Sequence, residues 1–123
     1  MGTLQIKRIY QPAEKTDGKR ILVDRLWPRG VKKEAAQIDV WMKEITPSDA
    51  LRKWFHSDGD HSKWEEFKAK YVFELKQSPV AVNELLDMIS KNEKVTLLYA
   101  ARDEHQNHAL VLLRFIEGLL KQE

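Results

Sequence analysis

The chain has 123 residues, 42% apolar and 33% charged, with a formal charge of +2 when His is neutral. Those totals suit one soluble globular domain spanning residues 1–123, and they exclude a disordered chain or a strongly basic nucleic-acid arm. Cysteine is absent, which removes disulfides, thiolate nucleophiles and Cys-based metal or iron–sulfur sites. No apolar run reaches the ~18 residues a membrane span requires, and the first residues do not resemble a secretory signal, so a cytoplasmic location and no membrane partner are expected.

In chain order, LQIKRIY (4–10) alternates apolar and polar groups and predicts a strand with one wet face. PAEKTDG (12–18) is a turn. ILVDRLW (21–27) predicts a second strand, stopped by Pro28 and Gly30. VKKEAAQI is a weak helical turn. Asp39 is placed to cap a short helix holding Trp41, Met42 and Ile45, closed by Pro47. Ser48 opens a helix with Leu51, Trp54 and Phe55. HSDGDHS (56–62) is a loop, and Ser62 with Glu65 forms a capping box. Beyond it Trp64, Phe67, Tyr71 and Leu75 recur three and four apart and share a helix face.

Ser78-Pro79 is another helix start, with Pro where its missing N–H costs nothing and an apolar stripe at Leu85, Leu86 and Ile89. VTLLYAA (95–101) is a short, nearly continuous apolar run and predicts a buried strand. After the loop RDEHQNH, a terminal helix starts at Asn107 or His108 and turns Leu112, Leu113, Ile116 and Leu120 inward. Strands separated by helical crossovers predict a small three-layer α/β domain with a mainly parallel sheet. Three strands are clear, with one or two more expected inside segments that read as helix or loop.

In such sheets ligands bind beyond the carboxyl ends of the strands. Two such ends are legible, at residues 24–30 and 99–108. Arg25, Arg29 and Arg102 are the candidate anion-binding side chains, since guanidinium groups make forked, charged hydrogen bonds. Trp27 is a stacking candidate beside them, and the hydroxyl of Tyr99 and the side chain of Asn107 are candidates to touch the same ligand. The alternative use of these groups is structural: an Arg pairs with Asp24, Asp103 or Glu104, and Asp103 or Asn107 caps the last helix.

His108, at a helix N-terminus, is expected to be neutral and is the candidate proton carrier, with Asp103 or Asp24 as base or orienting group. His105 and His108 form no recognised metal motif, so no metal is expected, and no cofactor is named by the sequence. There is no phosphate loop and no nucleophile elbow.

The segments DGKRILVDRLWPRG, WMKEITPS, LRKWFH, WEEF and TLLYAARDEHQNHA resemble the DUF488 family of small bacterial and archaeal proteins, in particular its YeaO-like branch. The likeness spans nearly the whole chain. It implies a compact α/β domain of Rossmann-like appearance, and it carries over Asp24, Arg25, Trp27, Pro28, Arg29 and Gly30 from the first motif. It also carries Trp41, Lys43, Glu44, Pro47, Ser48, Arg52, Trp54 and Phe55 from the middle. Tyr99, Asp103, Asn107, His108 and Ala109 come from the last motif, where Arg102 stands at a position relatives often give to Lys. Another branch of the family looks to carry Cys in a loop at the last strand end; thiol chemistry cannot transfer to a chain without Cys.

Two functions remain open at this level. One is binding of, or catalysis on, a small anionic, phosphate-bearing molecule at the strand ends. The other is a non-enzymatic module that binds nucleic acid or protein.

Overall fold

The computed structural model describes residues 3–56 and 63–121. Among the described residues four strands form one sheet, β1 (Thr3–Arg8), β2 (Lys19–Leu22), β3 (Val40–Trp41) and β4 (Lys94–Tyr99), in the order β1-β4-β2-β3 with every pairing parallel. The helices are α1 (Lys33–Ala36), α2 (Asp49–His56), α3 (Trp64–Lys76), α4 (Pro79–Lys91) and α5 (His108–Lys121). Short 3-10 turns cover Lys15–Asp17 and Lys43–Ile45. The α/β class and the parallel sheet are those expected. The Ser62 capping box lies outside the described residues.

Strand side chains alternate between faces, so the sequence splits each strand between two cores. Leu4, Ile6, Ile21, Val23, Val40, Val95, Leu97 and Tyr99 face α2–α5. Leu22 and Leu98 face the other way, onto a smaller cluster with Ile9 and Ala36, roofed by Trp27, Val31, Ile38 and Trp41. Among the described residues one outer layer is therefore four helices; the other is thin, made of α1 and loops. β4 lies between β1 and β2 and is covered on both faces, which is why VTLLYAA is almost wholly apolar.

The helix faces follow the spacing. Phe67, Tyr71 and Leu75 are buried on α3, and Leu85 and Ile89 on α4. On α5 the inward set is Ala109, Val111, Leu112 and Ile116, so Leu113 is a correction: it stands to one side of the stripe and is only half-buried. The larger correction is at Asp39. It caps no helix. Its amide donates to the Arg20 carbonyl (2.8 Å) and its Oδ2 accepts from the Arg20 amide (2.8 Å), which seats Val40 and Trp41 as edge strand β3 beside β2. Helical spacing of Trp41, Met42 and Ile45 masked a two-residue strand followed by a 3-10 turn. The second strand also ends sooner than expected: β2 stops at Leu22, with Val23 adding one further bond to Leu98 (3.0 Å) before the chain turns.

The sheet face that carries Leu22 and Leu98 also carries buried charge, since Arg20 and Lys7 alternate onto it. Arg20 (4% exposed) donates to the Asp17 carboxylate and to the Ala36 carbonyl (3.0 and 2.8 Å), and Lys7 reaches Asp17 and Glu14. Burial pushes the Asp17 carboxyl up, but the Glu14 amide, Lys7 and Arg20 together hold it below the ordinary carboxylate value.

Candidate functional site

β2 and β4 run parallel and side by side, so their carboxyl ends open at the same edge of the sheet. Asp24, the first residue past β2's last bond, joins the two ends. Its Oδ2 accepts from the Ala100 amide (2.9 Å), and its backbone carbonyl accepts from the Trp41 indole (2.7 Å). Nε2 of His108, the first residue of α5, stands 2.8 Å from the Val23 carbonyl and 2.9 Å from Asp24 Oδ1. A carbonyl only accepts, so Nε2 carries the proton and the other ring nitrogen, Nδ1, is left for other work. With that N–H aimed at Val23, Asp24 Oδ1 is buried without a well-aligned donor among the described residues.

The loop beyond Asp24 is held open by its own contacts. The Trp27 indole donates to the Val31 carbonyl (2.9 Å), Gly30 takes φ +76°, and the Tyr10 hydroxyl donates to the Arg29 carbonyl (2.8 Å). From the end of β1, Arg8 donates to the carbonyls of Ala100 and Ala101 (3.2 and 2.8 Å), which fixes the start of the loop leading to α5. Between these loops and α2 lies a cavity of about 350 Å³. Rings of Tyr10, Trp27, Phe55 and Phe67 line it with Pro28 and Pro47, and so do Asp24, Arg25, Arg29, Arg52, His56 and His108. Phe55 and Phe67 stack with centroids 4.2 Å apart.

The cations of the cavity are held differently. Arg25 donates through Nε to the Pro47 carbonyl (3.1 Å), leaving the rest of its fork. The Arg29 side chain is exposed, and among the described residues no ion pair joins Arg25 or Arg29 to a carboxylate. Arg52 pairs with Asp49 through Nη2 (2.6 Å), while its Nε is buried without a hydrogen-bond partner among the described residues. The pairing of Arg25 or Arg29 with Asp24, weighed from the sequence, is replaced by Asp24's bond to Ala100 and its close approach to His108.

Other sequence candidates sit elsewhere. Arg102 is exposed and does not line the cavity; Arg52 from α2 takes the third place instead. Asp103 is exposed, and its Oδ1 accepts from the amides of His105 and Gln106 (2.8 and 3.0 Å), folding the loop. Asn107 lines the cavity but caps α5: Oδ1 accepts from the Leu110 amide (2.8 Å) and Nδ2 donates to the Asp103 carbonyl (2.9 Å). Tyr99 packs in the main core and does not line the cavity; burial, with Glu104 and Asp103 nearby, raises its phenol above the ordinary value.

Arg52, Phe55 and His56 are one helix face, spaced i, i+3, i+4, and that spacing in LRKWFH was the available signal for them. Ser48 starts this helix, accepting the Leu51 amide (3.1 Å) while its own amide and hydroxyl bind Glu74 (2.8 and 2.6 Å). Burial, then the charges of Arg52 and His108, lower the His56 pKa from its usual 6.5.

The consequence has a definite sign. Above pH 6.5 His56 is neutral folded or unfolded. As pH falls through 6.5 the unfolded chain takes a proton first, so stability drops until the folded pKa is passed and then levels off. An NMR titration is expected to place His56 below 6.5 in the free protein and to move it upward when inorganic phosphate is added. An unchanged value with phosphate would place the anion away from Arg52 and His56.

Comparison with known proteins agrees with the motifs. A family model described as "Inactive DUF488-N3 subclade" matches residues 3–123. "Uncharacterized protein YeaO" of Escherichia coli K12 is 50% identical over 116 residues, covering 94% of this chain and 98% of that one. "Uncharacterized protein Rv3073c" of Mycobacterium tuberculosis and "Uncharacterized protein Mb3100c" of Mycobacterium bovis are each 34% identical over 115 residues, covering 94% of both chains. No solved structure matches. With one family model spanning nearly every residue and a half-identical relative aligned end to end, the chain belongs to the DUF488 family, in its YeaO-like branch.

Proposed function

We propose that the cavity at the carboxyl ends of β2 and β4 binds a small molecule through an anionic group, and that binding rather than turnover is its task. The observation that carries the reading is the meeting of Arg25, Arg29 and Arg52 on one cavity, with no carboxylate paired to the first two among the described residues. Guanidinium donors in a site largely walled by rings and prolines bind anions more strongly than in open water. The volume is at the small end of ligand pockets. Asp24, the one carboxylate on the wall among the described residues, gives an oxygen to Ala100 and sits against His108, which blunts its repulsion of an anion.

The family's description as an inactive subclade favours binding over catalysis. So does the geometry of His108, whose Nε2 proton is engaged by Val23 and whose orientation serves the joint between the loops. A nucleic-acid interface gains no support, since Trp27 and Trp41 spend their indole N–H groups on the backbone and are half-buried.

Isothermal titration with phenyl phosphate tests the reading. Arg29→Ala and Arg52→Ala are each expected to weaken binding about tenfold or more, the cost of one charged hydrogen bond. Affinity unchanged in both variants would sink it.

A further inference from the structure

We infer that the ligand of this cavity is an aromatic anion, seated with its flat ring on the Phe55–Phe67 side and its charged oxygens toward Arg29 at the mouth. The inference rests on the anion-binding reading above and adds the class of molecule.

Depth sorts the lining residues. Phe67 is buried in the main core, and Phe55 packs against it, so these rings form the inner wall. Arg29 is exposed and lies at the opening, while Arg52 is 34% exposed and spans between. A molecule that is charged throughout would leave the inner rings without a partner. One that is apolar throughout would bury the guanidinium groups against nothing. A molecule apolar at one end and anionic at the other meets both.

The rim agrees. Leu26 is 61% exposed and Tyr10 47%, two of the four large apolar side chains that stand exposed among the described residues, and both line this cavity. Apolar groups gathered at the mouth of a cavity are a mark of a ligand's body passing between them. A flat ring is preferred over a saturated one because rings stack face to face or edge to face on Phe and Tyr, gaining beyond the area they bury. A phosphate and a carboxylate both meet this requirement, since the guanidinium chemistry is common to the two.

The test is a calorimetric panel on the intact chain: phenyl phosphate against cyclohexyl phosphate, benzoate against cyclohexanecarboxylate, and inorganic phosphate. Within each pair the charge is shared and only the ring differs. The aromatic member is expected to bind roughly 3–10-fold tighter than the saturated one, and inorganic phosphate to bind weakest of the three phosphates. Phe55→Leu, checked by its thermal melt, is expected to erase the difference within a pair, whereas Arg29→Ala is expected to weaken all members and keep it. Equal binding within both pairs, or tighter binding of the saturated rings, overturns the aromatic class and leaves the anion reading in place. Failure of every probe to bind overturns both.

Discussion

Gly18→Ala is expected to cost about 3–5 kcal/mol of stability, the sum of backbone strain and forced overpacking. Gly18 follows the Lys15–Asp17 turn with φ +67° and ψ −136°, a conformation that side chains other than hydrogen hardly enter. A Cβ built there would stand 2.2 Å from the Lys94 carbonyl oxygen. That oxygen is main chain at the start of β4, whose first residues pair with both β1 and β2, so it cannot swing aside as a side-chain tip would. The neighbour Asp17 is in turn held by Lys7 and Arg20, which ties the turn to the sheet. Urea unfolding measures the loss; a drop below about 1 kcal/mol would show that residues 14–18 shift to make room.

Asp24→Ala is the second large effect, about 1–3 kcal/mol, the usual cost of leaving a part-buried donor without its charged acceptor. The variant strips the Ala100 amide of its acceptor and removes the carboxylate beside His108. Asp24→Asn divides these roles. Its amide oxygen can still accept from Ala100, but its NH₂ then faces the Nε2–H that His108 directs at Val23, donor against donor. Asn is therefore expected to lose less than Ala in urea and to keep slow hydrogen exchange at the Ala100 amide, which Ala loses. Fast exchange at Ala100 in both variants would mean that the carboxylate's charge, rather than its acceptor oxygen, holds the joint.

The stretch VDRLWPRG shows how far local reading goes. It is the mouth of a strand, as its mixture of apolar and charged groups suggests, and Arg25 and Arg29 do reach one cavity. Its Asp serves neither Arg. The partner is a backbone amide 76 positions away and an imidazole 84 positions away, contacts that no spacing within the motif encodes. Similarly, Arg102 has the same charge and a place beside the second strand end, yet the loop folded by Asp103 leaves it in solvent, and α2 brings Arg52 in its stead.

Local sequence alone determined the apolar faces of α3 and α4 through helical period, the burial of β4 through an unbroken apolar run, and the parallel α/β class through the alternation of strands with helical crossovers, because each is carried by local runs of residues and their order. β3 escaped it: two residues carry no period, and only the backbone of β2, whose Arg20 and Leu22 carbonyls accept from the Asp39 and Met42 amides, makes them a strand. The composition of the cavity escaped it too. The rings and guanidinium groups that line it come from four separate segments, and their meeting depends on how α2 and α3 pack over the carboxyl ends of β2 and β4, an arrangement set by long-range contact rather than by any local run of residues.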